Sequence, residues 1–476
     1  MHLSKPRPAT IVFFVLAGTF ATIRLWNLET FCLDSDEVWS LTCARSTWNG
    51  LFSNAAFDLV HPPLFYILLK IWVAIGGMGL FWVRMLPALI SFAALIPFYF
   101  LCRSVGLGPW QTNLGLALLC VNADQIFHSE YLRMYSLLFL LSLCSYWAFT
   151  NYLSGKRWSI IILGAVNLLL VYSHYYGWAV IACEAVCVLA ANRRKLGAFA
   201  LQAAVVFACF TPWLAYAGHF AVQRGGLQDN LGWIRRPRLF DLYRYYATLT
   251  SPLDGMYIML VCFVLCGVLM YLGLQRVQQA EAVSDRWRIP LLLAGAFLPP
   301  LASFAVSQLS PQSVWGNRHL VIAIVPFYLL IALSLSSLPL HRMRALTAVV
   351  VAAWFVLNMG HVLHPRPRIN YEVLAEQMVA REHSSNRVPL LVPDRFLAFP
   401  LRFQLEQHDP GRWDVHTLKT LDSAAGEHFW VAYHRDRWKG DPPTTLLERR
   451  GYRVGSGVWV KDDWQRIIAF PVWRTE

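Results

Sequence analysis

The sequence predicts a polytopic α-helical membrane protein of about 11 transmembrane helices, with interfacial outer-loop helices and a small C-terminal α/β extracytoplasmic domain. Three observations predict it. The chain is 57% hydrophobic and only 14% charged, with a mean hydropathy of +0.43, whereas soluble domains are nearer a quarter charged. Apolar runs recur, separated by short basic connections. From residue 362 the composition turns polar, with acids and bases nearly balanced.

The first run, 10–26, follows a short basic stem. No small-x-small cleavage site follows it cleanly, so it reads as an uncleaved first helix. Further runs lie near 82–102, 109–123, 132–153, 158–173, 176–191, 197–217, 255–274, 289–307, 319–338 and 345–361. With eleven spans, the basic groups Lys5 and Arg7, Arg103, Lys156 and Arg157, Arg193, Arg194 and Lys195, Arg276, Arg286 and Arg288, and Arg342 and Arg344 all fall on one side. The positive-inside rule makes that side cytoplasmic.

The segment "PPLFYILLKIWVAI", 62–75, is apolar but short, and it carries Lys70. It reads as a helix lying on the outer face. Its two prolines suit a first turn, where their missing N–H groups cost nothing. The tail contains alternating apolar runs, "HFWVAYH" and "SGVWVKD", and the turn signal "GDPP", as a small mixed α/β domain does. The expected domains are 1–361, membrane-embedded with a first outer loop at 27–81, and 362–476, outside. There is no internal repeat, low-complexity run or heptad.

The net charge of +13 suits anionic lipid or an anionic ligand. No basic patch on a soluble domain points to nucleic acid. Most of the ten cysteines lie in or beside apolar runs, where they are small core residues. Cys32 and Cys43 flank the acidic motif described next, and a disulfide between them suits an oxidising compartment.

The acids before residue 361 are unevenly placed. Glu29, Asp34, Asp36, Glu37, Asp58, Asp124, Glu130, Asp229, Asp241 and Asp254 fall in or beside outer loops. Only Glu281 and Asp285 are cytoplasmic, and Glu184 lies within a span. This distribution points to an outward-facing site rich in carboxylates. "FCLDSDEVWSL", 31–41, holds Asp34, Asp36 and Glu37. Helix capping explains one of them. Three together raise the pKa of at least one, which suits a general base or a metal ligand.

Five other stretches carry candidates. "FDLVHPPLFY" offers Asp58 and His61, which also suit a turn and cap. "HSEYLRMYSLLFLL" offers His128, Glu130, Arg133 and Tyr135; Glu130 and Arg133 have the spacing of a local ion pair, and Arg133 also suits a phosphate. "VYSHYYGW" places His174 between two spans, where an aromatic interface belt is equally apt. The loop with Arg224, Arg235, Arg236, Arg238 and Arg244 runs against the positive-inside bias and suits an anionic ligand or lipid phosphates. "WGNRHLVIAIVPF" puts Arg318 and His319 at the start of a span. Acids that take a proton from a hydroxyl and arginines that hold a departing phosphate thus converge on one face. No Walker A motif or Rossmann glycine fingerprint is present. An outward-facing transferase then needs an activated donor already in the membrane, such as a polyprenyl-phosphate sugar.

These motifs resemble the GT-C superfamily of membrane glycosyltransferases, more narrowly the protein O-mannosyltransferase and lipid A aminoarabinose transferase group and its bacterial relatives. The resemblance covers most of 1–340. The Asp36–Glu37 pair after the first span matches that group's catalytic pair. "DLVHPPLFY" resembles its Asp-x-His-Pro-Pro-Leu element, with one extra residue between Asp58 and His61. "SEYLRMYSL", "SHYYGW" and "NRHLVIAIVP" resemble further elements in the same order. The resemblance implies inverting transfer from a polyprenyl-monophosphate sugar. Asp36 would be the general base and Glu37 would position base or acceptor. Asp34, Asp58, His61 and His174 would line the acceptor and sugar pocket. Arg133, Tyr135, Arg318 and His319 would hold the donor phosphate. It implies no nucleotide cofactor; a divalent metal near Asp36 or His61 is compatible with the residues.

The acceptor would be an envelope glycan, lipid or protein, and the location a bacterial inner membrane. Two rival readings stay open: a polyprenyl-diphosphate-dependent oligosaccharide ligase, and a lipid-sugar transporter or flippase.

Overall fold

The computed structural model describes residues 8–26, 28–223, 232, 234–251, 255–280, 287–337, 356–357, 368–417, 427–436, 438, 441–462 and 465–475. The run expected to span at 345–361 lies almost wholly outside the described residues. So do Lys5, Arg7, Arg224, Asp229, Asp254, Glu281, Asp285, Arg286, Arg342 and Arg344.

The chain divides into two compact units. The first is residues 1–26, 43–77 and 82–364. The tail domain expected at 362–476 is instead 365–476 joined by residues 27–42 and 78–81.

The helices of the first unit follow the apolar runs. In order they are α1 (Pro8–Leu25), α2 (Ser35–Arg45, shared between the units), α3 (Trp48–Asp58), α4 (Leu64–Gly76), α5 (Leu80–Ala93), α6 (Leu95–Ser104), α7 (Pro109–Cys120), α8 (Ala123–Glu130), α9 (Tyr135–Leu153), α10 (Ser159–Ser173), α11 (Gly177–Ala191), α12 (Leu196–Gln223), α13 (Leu239–Thr250), α14 (Met256–Ala280), α15 (Arg288–Leu309) and α16 (Val321–Ser337). Among the described residues, seven helical stretches are long and apolar enough to cross a membrane, and α4, α10 and α11 are shorter apolar helices. The protein is a polytopic membrane protein.

Two stretches show how burial divides these helices. In α14 only 6% of the most apolar window is buried inside the protein, with Tyr257 and Val261 exposed; such a surface belongs against lipid. The stretch Asn317–Leu335, which contains most of α16, is 89% buried, and α16 packs on α7, α9, α14 and α15. The run expected at 82–102 breaks into α5 and α6 at Ala94. Pro97 supplies the reason: it has no N–H for the Ala93 carbonyl.

The short run at 62–75 forms α4, and Lys70 has a local role. Its ammonium donates to the carbonyls of Ala44 (3.1 Å) and Ser46, at the end of α2, where a cation meets the negative end of the helix dipole. Trp72 of α4 and Trp82 of α5 stack with centroids 4.3 Å apart. Each indole N–H donates to the other residue's carbonyl, at 2.7 and 2.9 Å.

The second unit is an α/β fold around a six-stranded sheet. Its elements are α17 (Tyr371–Arg381), β1 (Val388–Val392), α18 (Arg395–His408), β2 (Trp413–Thr417), β3 (His428–His434), α19 (Pro443–Arg449), β4 (Tyr452–Val454), β5 (Val458–Lys461) and β6 (Arg466–Arg474). The order is β2-β1-β3-β6-β4, with β5 also on β6. β1 is parallel to β2 and β3; β6 is antiparallel to β3, β4 and β5. The core gathers Leu374, Met378, Leu390, Trp430, Ile467 and Ala469, and Cys32 joins it from the distant N-terminal segment. The Cys32 thiol donates to the Ile369 carbonyl (3.5 Å), the Arg368 guanidinium lies over Phe31 (5.1 Å), and Trp39 packs on Phe399 (5.3 Å). Cys32 and Cys43 are both free thiols.

Candidate functional site

The acidic motif forms the start of α2, and two of its three acids build the helix cap. Asp34 Oδ1 accepts from the amides of Asp36 (2.9 Å) and Glu37 (3.0 Å). Glu37 Oε2 accepts in return from the Asp34 amide (3.2 Å). This reciprocal arrangement is a capping box, and it leaves Glu37 fully buried. The cap bonds use the carboxylates of Asp34 and Glu37 and the amide, not the carboxylate, of Asp36. Asp36 is half-buried on the first turn. All three acids belong to the second unit.

The first unit gathers the remaining candidates. α3 ends at Asp58, and Leu59 takes a left-handed conformation (φ 61°), a strained geometry for a branched side chain. That reversal brings His61 back onto its neighbour: Nδ1 lies 2.7 Å from Asp58 Oδ2. Arg133 joins from the tight connection between α8 and α9. One of its terminal nitrogens is 3.0 Å from the same His61 Nδ1, and the other donates to Tyr66 Oη at 3.3 Å. The "HPPLFY" and "EYLRMY" stretches thus meet through Arg133, which is 2% exposed. Nδ1 holds one proton or one lone pair. Nδ1 therefore either donates to Asp58 or accepts from Arg133, and the shorter contact to the carboxylate favours the proton on Nδ1, with Arg133 a charge beside the ring and the lone pair on Nε2. Burial, then the Arg133 charge, hold the His61 pKa below its ordinary value, although Asp58 opposes them.

His174 ends α10 in an extended conformation and accepts the Tyr176 amide on Nδ1 (3.1 Å). Its proton is therefore on Nε2. Burial holds its pKa well below the ordinary value, helped by His319, His61 and the charges of Arg133 and Arg318. His319 sits in the turn Asn317–Leu320 that leads into α16. The rings of His61 and His174 are 5.2 Å apart, and those of His174 and His319 are 5.0 Å apart. Tyr135 lies 6.1 Å from both His174 and His319. Arg318 is half-buried beside them.

One nitrogen from each of His61, His174 and His319 lies within 4.8 Å of the others. Three imidazole nitrogens this close could hold a metal ion. His61 fits, because Asp58 on Nδ1 frees Nε2 for a metal. His174 fits poorly, because a ligating Nε2 must first give up its proton. Another such group among the described residues, Glu372, Glu376 and His408, is exposed on the second unit.

No protein-family model matches the chain, and no curated protein matches it by sequence. Solved structures do. The chain is similar to ArnT from Cupriavidus metallidurans in the apo state, at 12% identity and a TM-score of 0.58, over 97% of this chain and 98% of that one. The same figures hold for ArnT bound to undecaprenyl phosphate. It is similar to the mycobacterial arabinofuranosyltransferase AftD at 12% identity and a TM-score of 0.55, over 98% of this chain and 40% of that one. It is also similar to the Archaeoglobus fulgidus oligosaccharyltransferase tethered with an acceptor peptide, at 13% identity and a TM-score of 0.52, over 83% of this chain and 63% of that one. The chain has the GT-C fold.

At these identities the likeness concerns the fold alone. Within the GT-C fold, the first unit assembles Asp58, His61, Arg133, Tyr135, His174, Arg318 and His319. One member of the cluster, Tyr66, was not named from sequence. It has a visible signal, since it follows the proline pair by one helical turn. Tyr176 packs against His319 (4.9 Å), and His128 against Tyr135 (4.9 Å); neither differs in sequence from an ordinary interface aromatic or helix-end histidine. Of the outer-loop arginines, Arg235 pairs with Asp241 (3.1 Å) and Arg236 donates to the Ser310 carbonyl (3.0 Å).

Proposed function

We propose that this protein is an inverting glycosyltransferase. It moves a sugar from a polyprenyl-monophosphate donor to a hydroxyl of an envelope glycan, lipid or protein. The observation that carries the reading is a GT-C fold over nearly the whole chain, shared with a structure that holds undecaprenyl phosphate. The expected sidedness of the basic loops supports a reaction on the extracytoplasmic face, and the membrane proposed is a bacterial inner membrane.

In this reading the Asp36 carboxylate takes the proton of the acceptor hydroxyl. The oxygen attacks the anomeric carbon from the face opposite the phosphate. A new C–O bond forms as the bond to the phosphate oxygen breaks, and the anomeric configuration inverts. Arg133 and Arg318, with Tyr135 and His319, take up the charge of the leaving phosphate. Asp34 and Glu37 fix the turn that carries Asp36. Asp58, His61 and His174 contact sugar and acceptor. The reaction balances without a redox cofactor or nucleotide. A divalent cation at the three histidines is a separate question, tested by metal content and by activity after chelation.

The transporter reading rests on mid-membrane ionisable groups. Glu184, the one such acid noted from sequence, is fully buried and already engaged by Ser145 and Asn167 of the protein itself.

The experiment is reconstitution with radiolabelled polyprenyl-monophosphate sugars and envelope extract, comparing wild type with Asp36→Asn. Transfer that collapses in the variant supports the reading. Equal transfer by both removes Asp36 from the chemistry. Transfer from diphosphate donors alone supports the oligosaccharide ligase instead.

A further inference from the structure

Glu184 in α11, Ser145 in α9 and Asn167 in α10 are each fully buried. Ser145 Oγ lies 2.6 Å from Glu184 Oε1 and 2.5 Å from Asn167 Oδ1. Asn167 Nδ2 lies 3.1 Å from Glu184 Oε2. The three contacts close a ring.

A serine hydroxyl has one proton to give, and an ionised carboxylate has none. With Glu184 ionised, Ser145 serves one oxygen, and its other short contact sets two acceptors face to face. Turning the Asn167 amide over does not help. Its nitrogen then serves Ser145 and Ser145 serves Glu184, but the amide oxygen faces Glu184 Oε2 with no proton between them. One added proton completes the ring. Glu184 then donates to Ser145, Ser145 to Asn167 Oδ1, and Asn167 Nδ2 to Glu184 Oε2. Among the described residues, the titratable neighbours are the Tyr146 phenol and the Cys183 and Cys187 thiols, none of them a cation that could balance a carboxylate. A charge at this depth is costly, and the proton removes it.

We propose that Glu184 is held as a neutral carboxylic acid that ties α9, α10 and α11 together and acts as a positioning residue for the Arg133–His174 cluster. These are the helices whose ends carry that cluster. Arg133 precedes α9, Tyr135 opens it, and His174 joins α10 to α11. Ser145 is 10 residues from Tyr135, Asn167 is 7 from His174, and Glu184 is 7 from Gly177 by subtraction of their numbers. At about 1.5 Å per residue, the ring lies roughly 10–15 Å along the helices from those ends. The tie itself does not depend on the transferase reading; its effect on the cluster's chemistry does.

The test uses the full chain in lipid. Infrared difference spectra of wild type against Glu184→Gln, with 13C-glutamate labelling and exchange into D2O, should show a protonated-acid carbonyl band that Glu184→Gln lacks. A carboxylate band in its place overturns the proposal. Glu184→Gln can make the same three hydrogen bonds, so it should melt with wild type, while Glu184→Leu melts lower. Equal losses in both variants overturn the tie. Once transfer is measurable, Glu184→Leu should lower kcat several-fold with donor KM little changed, and Glu184→Gln should restore it. Unchanged kcat in Glu184→Leu overturns the positioning role. A complete lack of transfer by wild type refutes the transferase reading and leaves the infrared and melting results to decide the tie.

Discussion

The capping box at α2 lets the three clustered acids be separated by substitution. Asp34 accepts two amide hydrogen bonds, at 2.9 and 3.0 Å. Asn is as good a cap as Asp, whereas Ala loses about 0.5–2 kcal/mol. Asp34→Asn should therefore leave transfer near wild type. Asp34→Ala should loosen the first turn by about 1 kcal/mol, or roughly fivefold faster amide exchange at Asp36 and Glu37. Glu37→Gln keeps the box, because glutamine serves at the same position. Asp36→Asn leaves the cap bonds in place but removes the proposed base, and general-base catalysis is worth about 10²–10⁴ in rate, or roughly 3–5 kcal/mol. The assay is initial-rate transfer from a saturating polyprenyl-monophosphate sugar, with hydrogen exchange on the same preparations. If Asp34→Asn loses as much transfer as Asp36→Asn while exchange at the turn is unchanged, Asp34 has a chemical role and the capping explanation fails.

Other predictions follow from named contacts. Arg133→Lys keeps the charge but cannot reach both His61 and Tyr66 as the planar fork does, so donor KM should rise about tenfold; an unchanged KM would remove Arg133 from donor binding. Gly76→Ala would drive a Cβ into the Trp82 ring and should cost about 1–3 kcal/mol, read as a lower melting temperature. Glu382 accepts from the Ser384 amide (2.7 Å), His428 Nε2 (2.7 Å) and Trp430 Nε1 (2.6 Å). Burial alone would raise its pKa, but these donors outweigh it and hold the carboxylate below its ordinary value. Its contribution is therefore complete above about pH 4.3, the unfolded value, and is lost as pH falls through the lower folded value. Glu382→Gln should cost about 1.5–3 kcal/mol near neutral pH and much less in acid, as followed by exchange at β3.

Much of the fold was legible because apolar length is a local signal. The runs that became α1, α9, α12, α14 and α15 need no partner to be recognised. The break between α5 and α6 was also present in the sequence, as Pro97, but a hydropathy window averages over it. The D-x-x-E box at Asp34–Glu37 is a written signature that a count of acids obscures. The meeting of His61 with Arg133 is different in kind, since it depends on where α4 and α9 pack. Ser145 and Asn167 were visible as polar residues in apolar helices, yet nothing local joins them to Glu184. The least legible feature is the membership of 27–42 in the C-terminal unit, because neither stretch names the other.

That membership sets an order of assembly during synthesis. Cys32 and Ile369 are 337 residues apart, and the core that Cys32 enters also needs Ile467 and Ala469 of β6. At roughly 5–20 residues per second, a ribosome takes about 17–70 s to cover that separation. Until then the segment bearing Asp36 has no core to join, whatever helices have already entered the bilayer. The acid turn is thus seated only after nearly all of the chain has been translated, so a truncation before β6 would leave the helices in the membrane and the turn without its anchor.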